Sequence, residues 1–443
     1  MPGQTEGMRN SMQSFYEKLI KDYDLNLNHS GVSGERLAKR LYELSKIGSM
    51  ESGGVTRPGY SNEEKKAKEL VIGWMKEAGL SVRTDGAGNV FGRMEGRTSG
   101  SAIGSGSHVD SVPNGGNFDG PLGVLAALEV VQAWKAEGFV PNKPYEVAIF
   151  SDEEGSRFKV GLTGSRAYMG QVTREELENF RDQDGKTFEE VIGEYGSSVD
   201  AYLGANKEKT EIEAFVEVHI EQGKILERDG QPVGIVSGIA GPAWVKVSFI
   251  GEAGHAGNTP MIGRKDAVVA AGMFVQTIET LPKQVSNTAV ATVGKMDIQP
   301  NGVNVIAQQV DMIVDIRDIH EDSRDRLVSL IIDAANKIST ERQIEVKINI
   351  NSKIMPIPIS EDLQERLRGA LNKYDIEPIR IPSGAGHDSM ILGTEIPVAM
   401  IFVRSKDGIS HNPREWTDLN DCVKAVHVLK AFLEDLGEKG VSR

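Results

Sequence analysis

The feature that most limits how this chain can fold is a repeated switch of apolar period between residues 243 and 350. Val245, Val247 and Phe249 alternate with Lys246 and Ser248, as in a strand with one buried face. Val268, Ala271, Val275 and Ile278 then recur at helical spacing. Residues 288–297 and 309–316 return to strand character, with Val310, Met312, Val314 and Ile316 on one face. Leu327, Ile331, Ala334 and Ile338 make a second helical stripe, and Ile344, Val346, Ile348 and Ile350 alternate again. The order β-α-β-β-α-β predicts a ferredoxin-like unit that can stand as its own domain. Pro356 and Pro358 mark its end.

The flanks read differently. Leu37, Leu41 and Leu44 predict one helix, and Ala67, Leu70, Val71, Trp74 and Met75 predict another that stops at Gly79. Short strands are expected at Ser81–Arg83, Asn89–Arg93 and Ile103–Ser107, then a helix from Leu122 to Phe139. The apolar run Val147–Phe150 ends at an acidic cluster, as expected of a buried strand whose C-terminal end carries polar function. The fold class is therefore α/β. A larger domain, residues 1–240 and 352–443, is interrupted by an inserted βαββαβ domain, residues 241–351.

Charge and cysteine usage narrow the partners. Fifty Lys and Arg against 64 Asp and Glu leave a net charge of −14. A nucleic-acid binder would carry a basic face, so no nucleic acid is expected. An anionic substrate would need a local cation to receive it. Cys422 is the sole cysteine, which excludes an internal disulfide and a Cys-based metal site. It lies in an apolar periodic stretch with Val423, Val426 and Leu429, and reads as a core thiol. No run of 18 apolar residues occurs, so no membrane partner is expected, and a reducing, cytoplasmic setting fits best. The opening MPGQTEG carries no pattern and reads as a frayed terminus.

The chemistry is concentrated in short loops. His108 lies in Gly-Ser-His108-Val-Asp110-Ser, and Asp119 follows in Asn-Phe-Asp119-Gly. Asp152-Glu153-Glu154-Gly follows a strand; His219 lies in Glu-Val-His219-Ile-Glu-Gln222-Gly, and His411 in Gly-Ile-Ser-His411-Asn-Pro. Three imidazoles with carboxylates suit a borderline divalent ion such as Zn, Mn, Co or Ni. One carboxylate can bridge two ions, so His108, Asp119, Glu154, His219 and His411 form a plausible set for two divalent metal ions. Asp110 could accept the second ring N–H of His108. Glu153 and Glu154 are adjacent and cannot both point one way; one can bind metal while the other acts as a base. Each piece has a plainer reading. An Asp-Glu-Glu run is most often a solvated face, and His219 could be a hydrogen-bonded core histidine. His320, at a helix start, and His427, in a C-terminal helix, are read as structural. The ordered combination favours a site.

The stretches SHVDSVPNGGNFDGPLGV, SDEEGSRF, VEVHIEQG, GEAGHAGNTPM, GVNVIAQQVDMIVDIRD, SGAGHDS and IFVRSKDGISHNPREW resemble the N-carbamoyl-L-amino-acid hydrolases. These are a branch of the aminoacylase and carboxypeptidase-G-like dimetal hydrolases. The resemblance runs from about Ser33 to about Leu436. It implies one metal on His108, Asp119 and His219, a second on Asp119, Glu154 and His411, and Glu153 as the base. It also implies that the inserted domain acts as a lid and makes a homodimer. Gln222, His255, Asn304, Arg317 and Gly384 would contact a small ureido-acid substrate. An imidazole such as His255 can stabilise an oxyanion, and a guanidinium such as Arg317 can take a carboxylate with two parallel N–H bonds. Without the resemblance, Arg317 in Asp-Ile-Arg317-Asp reads more simply as locally paired, and His255 as a turn residue.

The expected activity is hydrolysis of the ureido C–N bond of an N-carbamoyl-L-amino acid. Allantoate amidohydrolase and β-ureidopropionase activities are the nearest alternatives; an aminoacylase, a dipeptidase or a non-catalytic binder of the same fold is further off. The apolar Gly241-Pro242-Ala243-Trp244 looks more like the carbamoylases than the polar segment of allantoate enzymes.

Overall fold

The computed structural model describes residues 15–207 and 210–441, so the opening MPGQTEG lies outside the described residues. Two compact units emerge. One comprises the chain to Val236, Ile359–Ile381 and the stretch from His387 on; the other comprises Ser237–Pro358 and Pro382–Gly386. The second unit is thus somewhat longer than the 241–351 read from periodicity. It also takes in a strap from the SGAG loop, where Ser383 O accepts from Ala240 N at 2.9 Å. A loop has no period, so nothing in the residue pattern announces that attachment.

The first unit is built on a mixed sheet. Its strands lie in the order Ser81–Thr84, Val90–Met94, Tyr145–Phe150, Ala102–His108, Ile212–Ile220, Val398–Val403, and then the start of Val233–Ile239. The central four are mutually parallel: Ala102–His108 runs with both Tyr145–Phe150 and Ile212–Ile220, and Val398–Val403 runs with Ile212–Ile220. Parallel strands covered on both faces need apolar residues throughout, and Tyr145–Phe150 and Val398–Val403 are buried at every position. The helix Pro121–Glu137 begins with proline, whose missing N–H costs nothing in a first turn. It is buried on all sides from Pro121 to Val131, because the sheet and the helix Leu419–Lys439 cover it. Cys422 is fully buried within that last helix. Among the described residues no helix is long and apolar enough to cross a membrane.

The second unit is a four-stranded antiparallel sheet, ordered Glu345–Lys353, Gly241–Ile250, Gln309–Asp318, Val290–Gln299. The helices Ala267–Ile278 and Glu321–Arg342 pack on it. Val245, Val247, Phe249, Phe274, Met312, Val314, Leu327 and Ile331 form its core. Element order and sheet order together are those of a ferredoxin-like fold.

Two details correct the reading from periodicity. The first helix buries Ala267, Ala270, Ala271, Phe274 and Ile278, while Val268 and Val275 are 41% and 37% exposed. Nearly every residue of that helix is apolar, so two stripes compete. Phe274 decides between them by packing edge-on against Phe249 at 5.6 Å, a pairing worth about 0.5–1.5 kcal/mol beyond its buried area. Ile350 is 52% exposed, because its strand lies at the sheet edge and its register shifts just beyond that residue.

Candidate metal centre

Parallel register brings distant histidines to one edge. His108 ends its strand opposite Phe150, the last residue of the next strand. His219 is the penultimate residue of Ile212–Ile220, opposite Phe402. His411 lies in the loop after Val398–Val403. The C-terminal edge of an open α/β sheet is where loops gather functional side chains.

Asp119 sits among these imidazoles. Gly120 follows it at φ +80°, and a Cβ there would fall 2.4 Å from the His108 ring, so glycine permits the close approach. Oδ1 of Asp119 is 3.1 Å from His219 Nε2 and 3.7 Å from His108 Nε2. Oδ2 is 3.5 Å from His411 Nε2, which is 3.3 Å from Glu154 Oε2. Two candidate ligand groups result, His108–Asp119–His219 and Asp119–Glu154–His411, and they share one carboxylate through its two oxygens.

The donor set fits a pair of divalent cations. His108 Nε2 is buried with no hydrogen-bond partner, an orphan that an ion would satisfy. His219 Nδ1 lies 2.9 Å from the Ile220 carbonyl, so the ring donates there and turns its Nε2 lone pair inward. Electrostatics agree. Burial, together with Asp119 nearby, pushes Glu154 up to about 8. Burial raises Glu153 well above the carboxylate range, with Glu154 and Asp388 adding to it against the pull of His108. Burial would raise Asp119 too, but His219, His108 and a Ser410 hydrogen bond outweigh it and hold it low. Buried carboxylates this close repel one another, and cations relieve that.

The adjacent pair is divided as the spacing requires. Glu154 faces His411, whereas Glu153 Oε2 lies 3.6 Å from His108 Nε2. Asp110 is fully buried and accepts the backbone N–H groups of Glu153 and Glu154 at 3.2 and 3.1 Å. His108 Nδ1 is 3.2 Å from the Asp110 carbonyl and 3.4 Å from its carboxylate. Asp110 therefore steadies the His108 ring and the Glu pair together. Gln222, at φ +55°, donates to Asp119 Oδ2 at 2.8 Å and to Ser410 Oγ at 3.2 Å. Ser410 donates to the same Asp119 oxygen at 2.6 Å.

The other expected site residues belong to the second unit. His255 pairs with Val305 in a two-stranded ladder, and its Nδ1 accepts from Gly257 N and Asn258 N. The carbonyl of Asn304, an exposed residue, accepts from Ala256 N. Arg317 gives Nε and Nη2 to Asp315 at 2.7 and 2.9 Å and Nη1 to the Gly384 carbonyl at 2.6 Å. The local pairing is therefore present, and it joins Arg317 directly to Gly384.

Several contributors left no mark in the residue pattern. Arg57 is fully buried and donates to Val109 O at 2.8 Å and Ile47 O at 2.9 Å, clamping the link between His108 and Asp110. His387 lies 4.4 Å from the His219 ring, and burial drives its pKa well below the usual histidine value. Both His387 and Asp388 in SGAGHDS are buried, although the resemblance implies a substrate contact only at Gly384.

The family model for Peptidase family M20/M25/M40 matches residues 104–435. This chain belongs to the M20/M25/M40 peptidase family. Within that family it is 43% identical to an N-carbamoyl-L-amino acid amidohydrolase of Geobacillus stearothermophilus, over 90% of this chain and 97% of the relative. It is 34% identical to an allantoate amidohydrolase of Bacillus subtilis, over 89% of this chain and 95% of that protein. A crystal structure of a hydantoinase/carbamoylase family amidase from Burkholderia multivorans matches with a TM-score of 0.86 at 34% identity. It covers 93% of this chain and 99% of that one. Sequence and fold are thus shared with individual carbamoyl amidohydrolase and hydantoinase/carbamoylase family proteins across nearly the whole chain.

Proposed function

We propose that this chain hydrolyses the ureido C–N bond of N-carbamoyl-L-amino acids, giving the L-amino acid, CO₂ and ammonia. The observation that carries the reading is the division of Asp119 between two imidazole-carboxylate groups, with Glu153 beside one of them. Bound divalent ions would supply the Lewis acidity that polarises an electron-rich ureido carbonyl and acidifies a water molecule. His108, Asp119 and His219 would hold one ion, and Asp119, Glu154 and His411 the other. Zn, Mn, Co and Ni all suit this donor set.

Glu153 takes a proton from the attacking water. Oxygen adds to the ureido carbon, and His255 stabilises the oxyanion. Glu153 then passes the proton to the amino-acid nitrogen as the C–N bond breaks. The carbamic acid released decomposes to CO₂ and ammonia. Arg317 receives the substrate carboxylate, with Asp315 holding its guanidinium in place. Gln222, Asn304 and Gly384 complete the substrate contacts. The inserted unit is proposed as a lid and dimerisation module. The exposed Val268, Val269 and Val275 on its first helix support the latter role.

Ammonia release from N-carbamoyl-L-methionine, measured beside allantoate and N-carbamoyl-β-alanine, tests the assignment. A higher kcat/KM on either of the latter would transfer it to allantoate or β-ureido acids. Metal-replete protein inactive on all three would remove it.

A further inference from the structure

Asp119 and His411 reach the centre from loops far apart in sequence, and one buried carboxylate ties those loops together. Glu415 is 4% exposed. Its Oε1 accepts from the backbone N–H of Phe118 at 2.8 Å and of Asp119 at 3.1 Å. Its Oε2 lies 2.9 Å from Ser410 Oγ, which is also 2.6 Å from Asp119 Oδ2, so the two carboxylates share the one Ser410 hydroxyl proton. One side chain therefore grips the Asp119 loop by its main chain and the His411 loop through the residue before His411.

The surroundings leave that carboxylate little freedom. A Cβ at Gly116 would fall 2.0 Å from Glu415 Cδ and Oε1, so the Asp119 loop packs against it through a bare backbone. Phe118, fully buried, meets the ring of Trp416, the residue after Glu415, edge-on at 5.6 Å. Glu415 N donates back to Asn412 O at 3.0 Å, which closes the turn that follows His411. The two loops thus meet through buried groups, with Phe118 on one side and Glu415 and Trp416 on the other.

We infer that Glu415 is a positioning residue for the metal pair, setting Asp119 against His411 through the Phe118–Asp119 amides and the Ser410 hydroxyl. It acts through the ligands and need touch neither ion. The inference rests on the proposed reading of Asp119 as a shared ligand.

The test is metal affinity, not turnover. Wild type, Glu415→Ala, Glu415→Gln and Gly116→Ala are stripped with chelator and titrated with Co²⁺. Visible absorption follows binding, elemental analysis counts ions, and thermal unfolding runs in parallel. Wild type should take two ions per subunit; fewer would overturn the dimetal reading itself, before any variant is considered. Glu415→Ala should bind one or both ions about 10–100-fold more weakly, as losses of ligand-orienting partners do. Glu415→Gln keeps an oxygen for both amides and should regain most of that loss. A loss below about tenfold in Glu415→Ala, even with a lowered Tm, would show a merely structural role and overturn the inference. A Gln variant no better than Ala would overturn it in favour of charge. If Glu415→Ala does not fold, Gly116→Ala decides: its methyl must displace the carboxylate, and undiminished Co²⁺ binding there overturns the inference.

Discussion

Oε2 of Glu153 lies 3.6 Å from Nε2 of His108, although the neighbouring Glu154 is turned toward His411. A base in that position can serve a water held among the ligands without completing the Asp119–Glu154–His411 group. Glu153→Gln should therefore lower kcat by about 10²–10⁴-fold while elemental analysis finds the wild-type metal content. Loss of an ion instead would reassign Glu153 as a ligand.

Chelation should abolish hydrolysis, and readdition of Mn²⁺, Co²⁺, Ni²⁺ or Zn²⁺ should restore it. The same ions should raise Tm as their concentration increases, because they bind the folded centre and relieve the buried carboxylates around Asp119. Full activity after exhaustive chelation, verified by elemental analysis, would rule out a metal mechanism.

Arg317 offers a planar fork braced by Asp315, and a lysine cannot reproduce that geometry. Arg317→Lys should raise KM for N-carbamoyl-L-methionine by about 10-fold or more, in keeping with the loss of a charge-assisted pair. The corresponding carboxamide should be hydrolysed poorly by wild type and variant alike. A KM unchanged on the acid would place carboxylate recognition elsewhere.

His427 carries a pH dependence of stability. Its Nε2 donates to Leu27 O at 2.9 Å and its ring stacks on His29 at 4.1 Å, and burial lowers its pKa to about 4. The unfolded chain binds the proton near pH 6.5, the folded one near pH 4, so stability falls as pH drops through that window. Tm of the wild type should therefore decline more steeply between pH 7 and pH 4.5 than that of His427→Gln. Parallel slopes would show that other groups govern acid unfolding.

Local pattern carried much of this architecture. Alternation at Val310, Met312, Val314 and Ile316 was readable because a strand with one covered face must alternate, and all four are fully buried. The helix Ala267–Ile278 was readable as a helix but not in its rotation, since Val268 and Phe274 are both apolar and the core that buries Phe274, Phe249 included, comes from other elements. Candidate donor types were visible as His, Asp and Glu in Gly- and Ser-flanked loops. Arg57, Ser410 and His387 were not, because buried hydrogen bonding to a distant main chain or ring leaves no periodic trace.

Residue types and local period set out the available chemistry: imidazole and carboxylate donors, a single cysteine, and an inserted βαββαβ segment between α/β flanks. How that chemistry is shared out follows from long-range packing. It gave the two oxygens of Asp119 to different histidines, sent Glu153 and Glu154 to different partners, and brought Gln222 and Ser410 onto Asp119 Oδ2. The reason lies in range: apolar period is set by neighbours a few residues apart, whereas these contacts join groups up to 292 positions apart, from Asp119 to His411, through parallel register and loop closure.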